Sequence, residues 1–210
     1  GYTCEYKLFP TVNYGVPQKR ERLLIVGWKD PKYVHKWPDE VDADVSLRNI
    51  LEFSMDGTIE VPKELIDQAG VAEESILIGE GEPEGVVHPY LTDRANLRGV
   101  SYGGKDISEY CFSFGKRRSP VHCEIVDITK PSKTIISTYD HQPRLFVAQK
   151  VGETYYLRPY TVNELKQIQG FPKDYIMEGS WKDQVVQLGN AVPPPLIQQV
   201  VERILDQALS

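Results

Sequence analysis

Pro17-Gln18-Lys19-Arg20-Glu21-Arg22-Leu23-Leu24-Ile25-Val26-Gly27 joins a polar approach to an unbroken aliphatic run, and its reading sets the fold class. The run Leu23 to Gly27 lies between turn-rich Asn13-Tyr14-Gly15-Val16-Pro17 and Asp30-Pro31, which predicts a strand. With no polar residue alternating in, the strand suits the interior of a mostly parallel sheet covered by helices, hence an α/β fold. At a period of two, Gln18, Arg20 and Arg22 fall on one side of the approach, and Lys19 and Glu21 on the other. Two guanidinium forks and an amide on one side suit phosphate oxygens and base carbonyls. A polar strand start at the surface would use the same residues.

Downstream, Ser46 to Phe53 reads as a short helix capped by Ser46, with Leu47, Ile50 and Leu51 on one face. Residues 56–110 carry Gly79, Gly81, Pro83, Gly85, Pro89, Gly99, Gly103 and Gly104, a composition that favours loops and short strands. Further short strands are predicted at Ile125-Val126, Thr134-Ile135-Ile136 and Leu145-Phe146-Val147. After Arg158 the period becomes helical. Thr161 and Glu164 have the spacing of a capping box, so a helix starts there, turns Leu165 and Ile168 inward and stops at Gly170-Phe171-Pro172. Arg158 can pair with Glu164 across that helix start and hold neighbouring segments together. Near the C-terminus, Gln187-Leu188-Gly189-Asn190-Ala191-Val192-Pro193-Pro194-Pro195 reads as a tight Gly-Asn turn that exposes an amide to a small polar ligand. Its prolines pre-set the start of a helix carrying Leu196, Ile197, Val200, Val201, Ile204 and Leu205.

A chain of 210 residues is long enough for one substantial domain or two small ones. Its 40% hydrophobic and 26% charged residues are ordinary for a soluble globular protein. No apolar run approaches the roughly 20 residues of a membrane span, so no membrane partner is expected. Cys4, Cys111 and Cys123 are odd in number and widely spaced. They make neither a disulfide framework nor a metal-binding pair, so a reducing compartment with ordinary thiols and no metal site is expected. The net charge of −6 is uneven: residues 39–84 hold 14 acids and 2 bases, whereas residues 1–38 and 116–150 each hold 7 bases and 3 acids. The two basic stretches can present a local positive face to phosphates, or can simply be solvated charge.

Three of these strings resemble a family in their order and spacing. Pro17-Gln18-x-Arg20-x-Arg22 resembles motif VIII of the DNA (cytosine-5) methyltransferases. Arg158-x-x-Thr161-x-x-Glu164-x-x-x-x-Gln169-Gly170-Phe171-Pro172 resembles motif IX, and Gln187-x-Gly189-Asn190-Ala191-Val192-Pro193-Pro194 resembles motif X. The long insert between VIII and IX is also the family's. The resemblance implies the C-terminal portion of a methyltransferase-type mixed sheet with helices, plus an irregular, mostly-β target recognition domain. Residues 1–38 would end the catalytic α/β domain, 39–155 would form the recognition domain, and 156–210 would carry the closing helices.

Roles follow position by position from the resemblance. Gln18, Arg20 and Arg22 would line the pocket of a flipped cytosine. Asn190 and Ala191 would lie beside S-adenosyl-L-methionine, and Arg158 and Glu164 would brace the recognition domain. Lys133-Thr134-Ile135-Ile136 resembles the family's Thr-Leu or Thr-Ile element, which makes Ser137 to Arg144 a DNA-facing loop. Within that region Thr134, Ser137, Thr138, Tyr139, His141 and Arg144 are candidate contacts to double-stranded DNA, since such residue types read base edges and hold phosphates. Lys116, Arg117 and Arg118 are a second candidate contact or a solvated basic turn.

The chain also departs from the family. None of its three cysteines follows a proline, as the family's nucleophile does, and neither Glu-Asn-Val nor Phe-x-Gly-x-Gly occurs. The nucleophile, the acid and most of the cofactor site would therefore come from an N-terminal half or partner subunit carrying motifs I to VI. Alone the chain would be inactive, because a flipped base needs a complete pocket. A start at Gly1-Tyr2 without an initiator Met favours a truncated form over a natural split subunit. The competing expectation is a non-catalytic DNA-binding module derived from such an enzyme. The resemblance places the protein in a restriction-modification system of the bacterial cytoplasm, or in the nucleus of a eukaryotic host.

Overall fold

The structure, a computed structural model, describes residues 1–86, 100–102, 105–106, 123–140 and 143–209. β1 (Thr3–Pro10) and β3 (Glu21–Trp28) form an antiparallel ribbon with Tyr6 opposite Ile25 and Leu8 opposite Leu23. Between them lie a 3-10 turn at Thr11–Tyr14, closed by Gly15 at φ 77°, and the two-residue strand β2 (Gln18–Lys19). The aliphatic run Leu23 to Gly27 therefore sits in an antiparallel pair, not inside a parallel sheet. An unbroken apolar run reports that both faces of a strand seek apolar neighbours; it carries no information about the direction of the partner. Leu24 and Val26 pack with Phe9, Tyr14, Leu196 and Val200, whereas Leu23 and Ile25 face outward.

The second layer is a mixed sheet centred on β10 (Leu145–Val151). One edge of β10 pairs antiparallel with β11 (Thr154–Pro159), across a hairpin whose Gly152 takes φ 55°. Its other edge pairs, end to end, with two parallel strands: β8 (Cys123–Ile125) at Leu145-Phe146 and β5 (Ile76–Ile78) at Ala148 to Lys150. β4 (Ile59–Val61) lies outside β11, and β6 (Val100–Tyr102) and β7 (Lys105–Asp106) lie outside β8. Because side chains alternate across a strand, β10 feeds two cores. Phe146 and Ala148 meet Leu65 and Ile66 of helix α1 (Lys63–Ala69), together with Ile125 and Leu157. Leu145 and Val147 meet Leu47, Leu51, Tyr160, Leu165, Ile168, Val185 and Leu188.

The helical end follows the capping signals. α2 (Val162–Ile168) makes both capping-box bonds, Glu164 N to Thr161 Oγ1 at 3.2 Å and Thr161 N to Glu164 Oε2 at 2.8 Å. Ser180 and Asp183 cap α3 (Trp181–Asn190) in the same way, and α4 (Pro194–Leu209) closes the chain against β1 and β3. The expected helix at Ser46 to Phe53 is a three-residue 3-10 turn, Leu47–Asn49, although Leu47 and Leu51 are buried as their spacing requires. The strand expected at Thr134 to Ile136 ends earlier, as β9 (Ser132–Lys133), which runs parallel to β2. The product is a mixed α/β fold with few helices. Among the described residues no helix is long and apolar enough to cross a membrane.

Arg158 is fully buried on β11 and uses every N–H of its guanidinium. Nε donates to Gln149 Oε1, Nη1 to Pro159 O and Glu164 Oε2, and Nη2 to Glu52 O and Glu164 Oε1. Glu164 in turn accepts from the backbone N of Glu52 and Thr161, and Gln149 holds both backbone groups of Ser54. The cluster ties the 52–54 segment, β10, β11 and α2 into one unit. Breaking one side of a buried ion pair strands the other charge, at about 3–5 kcal/mol. Arg158→Ala should lose about that much stability in urea titration, far more than removal of the exposed Lys63–Asp67 pair; equal losses would contradict the clamp.

Candidate functional site

The pairing of β2 with β9 brings three distant strings to one place. Gln18 is buried, its Nε2 donating to Gln169 Oε1 at 2.5 Å while its Oε1 accepts from Ile135 N at 3.1 Å. Gln169, also buried, donates from Nε2 to the carbonyls of Leu188 and Ala191, each at 2.8 Å. Arg20 bridges two further carbonyls, Ile135 O at 3.2 Å and Gly189 O at 2.9 Å. Its Nε is buried without a hydrogen-bond partner among the described residues. Such a donor is costly to leave unmet, so it is a point at which an added acceptor would be welcome.

Arg22 differs. Its guanidinium is half-buried and makes a local contact, Nη1 to Glu21 O at 2.8 Å. Partial burial pulls its pKa below the ordinary arginine value, yet a guanidinium keeps its charge. Beside these residues an open cavity of about 420 Å3 is lined by Pro10, Val12, Lys19, Arg20, Glu21 and Thr134. Thr134 is exposed at its rim and donates from Oγ1 to Lys19 O at 2.6 Å.

Gly189 and Asn190 do not form the expected turn. Both belong to the last turn of α3, and Ala191, half-buried, is its C-cap. Gly189 is required by proximity: a Cβ there would lie 2.4 Å from Ser137 N and 2.5 Å from Ser137 Cα. Asn190 is exposed beside this contact, so its amide is still presented outward. Glycine followed by Asn reads as a turn because the sequence does not reveal which backbone will press against it.

Ser137 and Thr138 are half-buried in the segment that presses on Gly189. Tyr139 is a correction to the proposed DNA-facing loop. It is 2% exposed, donates to Leu145 O at 2.8 Å and accepts from Tyr160 N at 2.8 Å. Burial pushes its hydroxyl pKa well above the ordinary tyrosine value. Tyr139 and Tyr160 stack at 5.8 Å inside the core, so Tyr139 anchors the loop from beneath. Arg144 is half-buried and engaged, and Lys133 pairs with Glu124. Lys116, Arg117, Arg118 and His141 lie outside the described residues. Among the described residues no group of three or more His, Cys, Asp or Glu could hold a metal ion. Gln169 is the side chain of this cluster to which residue-level reading gave no role. It stands in a recognisable string, but its partners come from three separate segments.

The family model described as C-5 cytosine-specific DNA methylase matches residues 1–206. Type II methyltransferase M.MthTI of Methanothermobacter thermautotrophicus is 27% identical over 211 residues, 97% of this chain and 56% of the relative. M.BsuFI of Bacillus subtilis is 28% identical over all of this chain and 41% of its own length, and M.SsoII of Shigella sonnei is 25% identical over 97% and 45%. The chain thus spans about half the length of the curated relatives it matches. Two solved structures share the fold: the Entamoeba histolytica methyltransferase EhMeth and the S. pombe Dnmt2 methyltransferase. Their TM-scores are 0.55 and 0.53 at 16% and 14% identity; each covers all of this chain, which covers 55% and 57% of theirs.

Exchanging a glycine for alanine inside a helix ordinarily gains about 1 kcal/mol. Gly189→Ala should instead destabilise by about 1–3 kcal/mol, because a methyl group must displace backbone rather than a flexible side chain. A raised urea midpoint for this variant would refute the close approach to Ser137.

Proposed function

The chain belongs to the C-5 cytosine-specific DNA methylase family, and from that premise we propose that it supplies target recognition and part of two pockets to a DNA cytosine-5 methyltransferase. The complete enzyme moves a methyl group from S-adenosyl-L-methionine to C5 of a cytosine in a short double-stranded sequence. The observation that carries the reading is Arg20, which joins the base of the Thr134 to Asp140 segment to Gly189 at the end of α3. One side chain thereby links the proposed DNA loop, the proposed base pocket and the proposed cofactor wall.

The parts divide as follows. Residues 39–155 form the recognition domain, and 1–38 and 156–210 belong to the catalytic domain. Arg22, whose guanidinium among the described residues is held by the Glu21 carbonyl of its own strand, faces the flipped cytosine, while Arg20 lines the adjoining cavity. Gln18, with donor and acceptor ends engaged, braces this arrangement from below. The exposed Asn190 amide and the backbone of Ala191 fit one wall of a site for the cofactor, whose activated methyl group is what the reaction transfers. Thr134, Ser137, Thr138 and Arg144 reach DNA, as do Lys116, Arg117, Arg118 and His141.

The nucleophile, the acid and the glycine-rich loop come from an N-terminal half, because none of Cys4, Cys111 or Cys123 follows a proline and Glu-Asn-Val is absent from the sequence. The outer face of the β1–β3 ribbon supports this. Tyr6, Leu8, Leu23 and Ile25 share that face at 76%, 52%, 55% and 67% exposure, with no charge between them. Fully burying such side chains is worth about 1.5–3 kcal/mol each, a strong drive to find a cover.

Methyl transfer to DNA should be absent from the chain alone and appear once an N-terminal half bearing Pro-Cys and Glu-Asn-Val is added. No transfer by the pair would favour the non-catalytic DNA-binding module. In the active pair, Arg22→Ala should lower kcat by about 10²–10³, the usual effect of losing one preorganised donor, with the methylated sequence unchanged by bisulfite mapping. Arg144→Ala or Thr138→Ala should weaken binding to the target by about 1–3 kcal/mol, as for one lost base contact. A changed target in Arg22→Ala would remove that residue from the base pocket.

A further inference from the structure

We propose that Gln169 is a positioning residue through which the recognition segment and the cofactor wall are coupled; this rests on the methyltransferase reading above. The last carbonyls of a helix have no partner within it. At the end of α3, side chains from elsewhere answer them: Gln169 serves Leu188 O and Ala191 O, and Arg20 serves Gly189 O. These three residues flank Asn190, so the place of Asn190 is set by Gln169 and Arg20 rather than by its own helix alone.

An amide side chain has polarity, and here it leaves no freedom. Two carbonyls at α3 demand the NH2 end of Gln169, so its oxygen must face Gln18. Gln18 must then turn its NH2 towards Gln169 and its oxygen towards Ile135 N. Ile135 O is held in turn by Arg20. Both backbone groups of Ile135 are thus fixed by side chains whose far ends lead to α3 (through Gln169 for Gln18, directly for Arg20). Ile135 stands at the foot of the segment Thr134 to Asp140, which presses on Gly189 through Ser137. Movement of that segment on target DNA is transmitted to Leu188, Gly189 and Ala191 through a buried chain with a single allowed hydrogen-bond direction.

The test uses the complete enzyme, this chain with its N-terminal half, and reads S-adenosylmethionine binding by calorimetry with and without DNA carrying the methylated sequence. In the wild type, target DNA should tighten cofactor binding by a factor within the 5–150-fold range usual for coupled sites. Gln169→Met keeps the shape but removes the hydrogen bonds, and the factor should fall several-fold, leaving the part carried by Arg20 and by the Ser137–Gly189 contact, while the methylated sequence stays the same. Gln18→Met should give the same fall, and the double variant no further loss, since both residues belong to one chain of bonds. Gln169→Glu, which sets carboxylate oxygens against two carbonyls, should weaken cofactor binding even without DNA. A factor unchanged in Gln169→Met and Gln18→Met overturns the proposal, as does a wild type whose cofactor binding ignores DNA. Absence of methyl transfer by the wild-type pair rejects instead the reading on which it rests.

Discussion

The guanidinium of Arg158 is the interaction on which the rest of the structure hangs. A buried charge is tolerated only when its partners are complete, and here all five donors are met by Glu164, Gln149 and the carbonyls of Glu52 and Pro159. Meeting them requires four separate pieces of chain to be in place at once. Those pieces include β10, whose alternate faces build the two cores around the mixed sheet, and α2, whose capping box shares the same Glu164. The cluster therefore makes sheet, helix and the 52–54 segment mutually dependent, and it supports Gln169, which lies directly after α2.

From that platform a second buried polar cluster organises the candidate site. Gln18, Gln169 and Arg20 satisfy one another or backbone groups of Ile135, Leu188, Gly189 and Ala191. With every polar side-chain atom but Arg20 Nε paired among the described residues, a cluster of this kind specifies geometry strongly, because rearrangement leaves further buried groups unmet. Gly189 allows the last necessary approach, with α3 pressed against Ser137 so closely that no side chain fits between. Two of the proposed binding residues, Thr134 and Asn190, stand exposed directly beside Ile135 and Gly189, whose backbone this interior scaffold holds.

The β1–β3 ribbon explains how a strong sequence signal was given the wrong setting. Leu23 to Gly27 is apolar on both sides, with Leu24 and Val26 serving the core against α4. Leu23 and Ile25, with Tyr6 and Leu8, form an uncharged outer face that remains open. In the proposed complete enzyme, a second half covers that face, and the same run then has apolar neighbours on both sides as its composition demands.

Several features were settled by local chemistry alone. The capping box at Thr161 and Glu164, the stop at Gly170 and the periodic C-terminal helix depend on neighbours within one turn, so they could be read residue by residue. The three ordered strings were likewise legible, and with them the family. Other features were decided by tertiary structure, because they depend on segments far apart in the chain. Nothing near Gly189 in sequence announces Ser137; nothing near Tyr139 announces that its hydroxyl is taken by Leu145 and Tyr160; nothing near Gln18 announces Gln169. A period of two states which side chains share a face, but only packing states whether that face meets solvent, a core or another half. The sequence by itself determined which chemistry is present, and long-range contact decided which of those groups brace the site and which remain free to act.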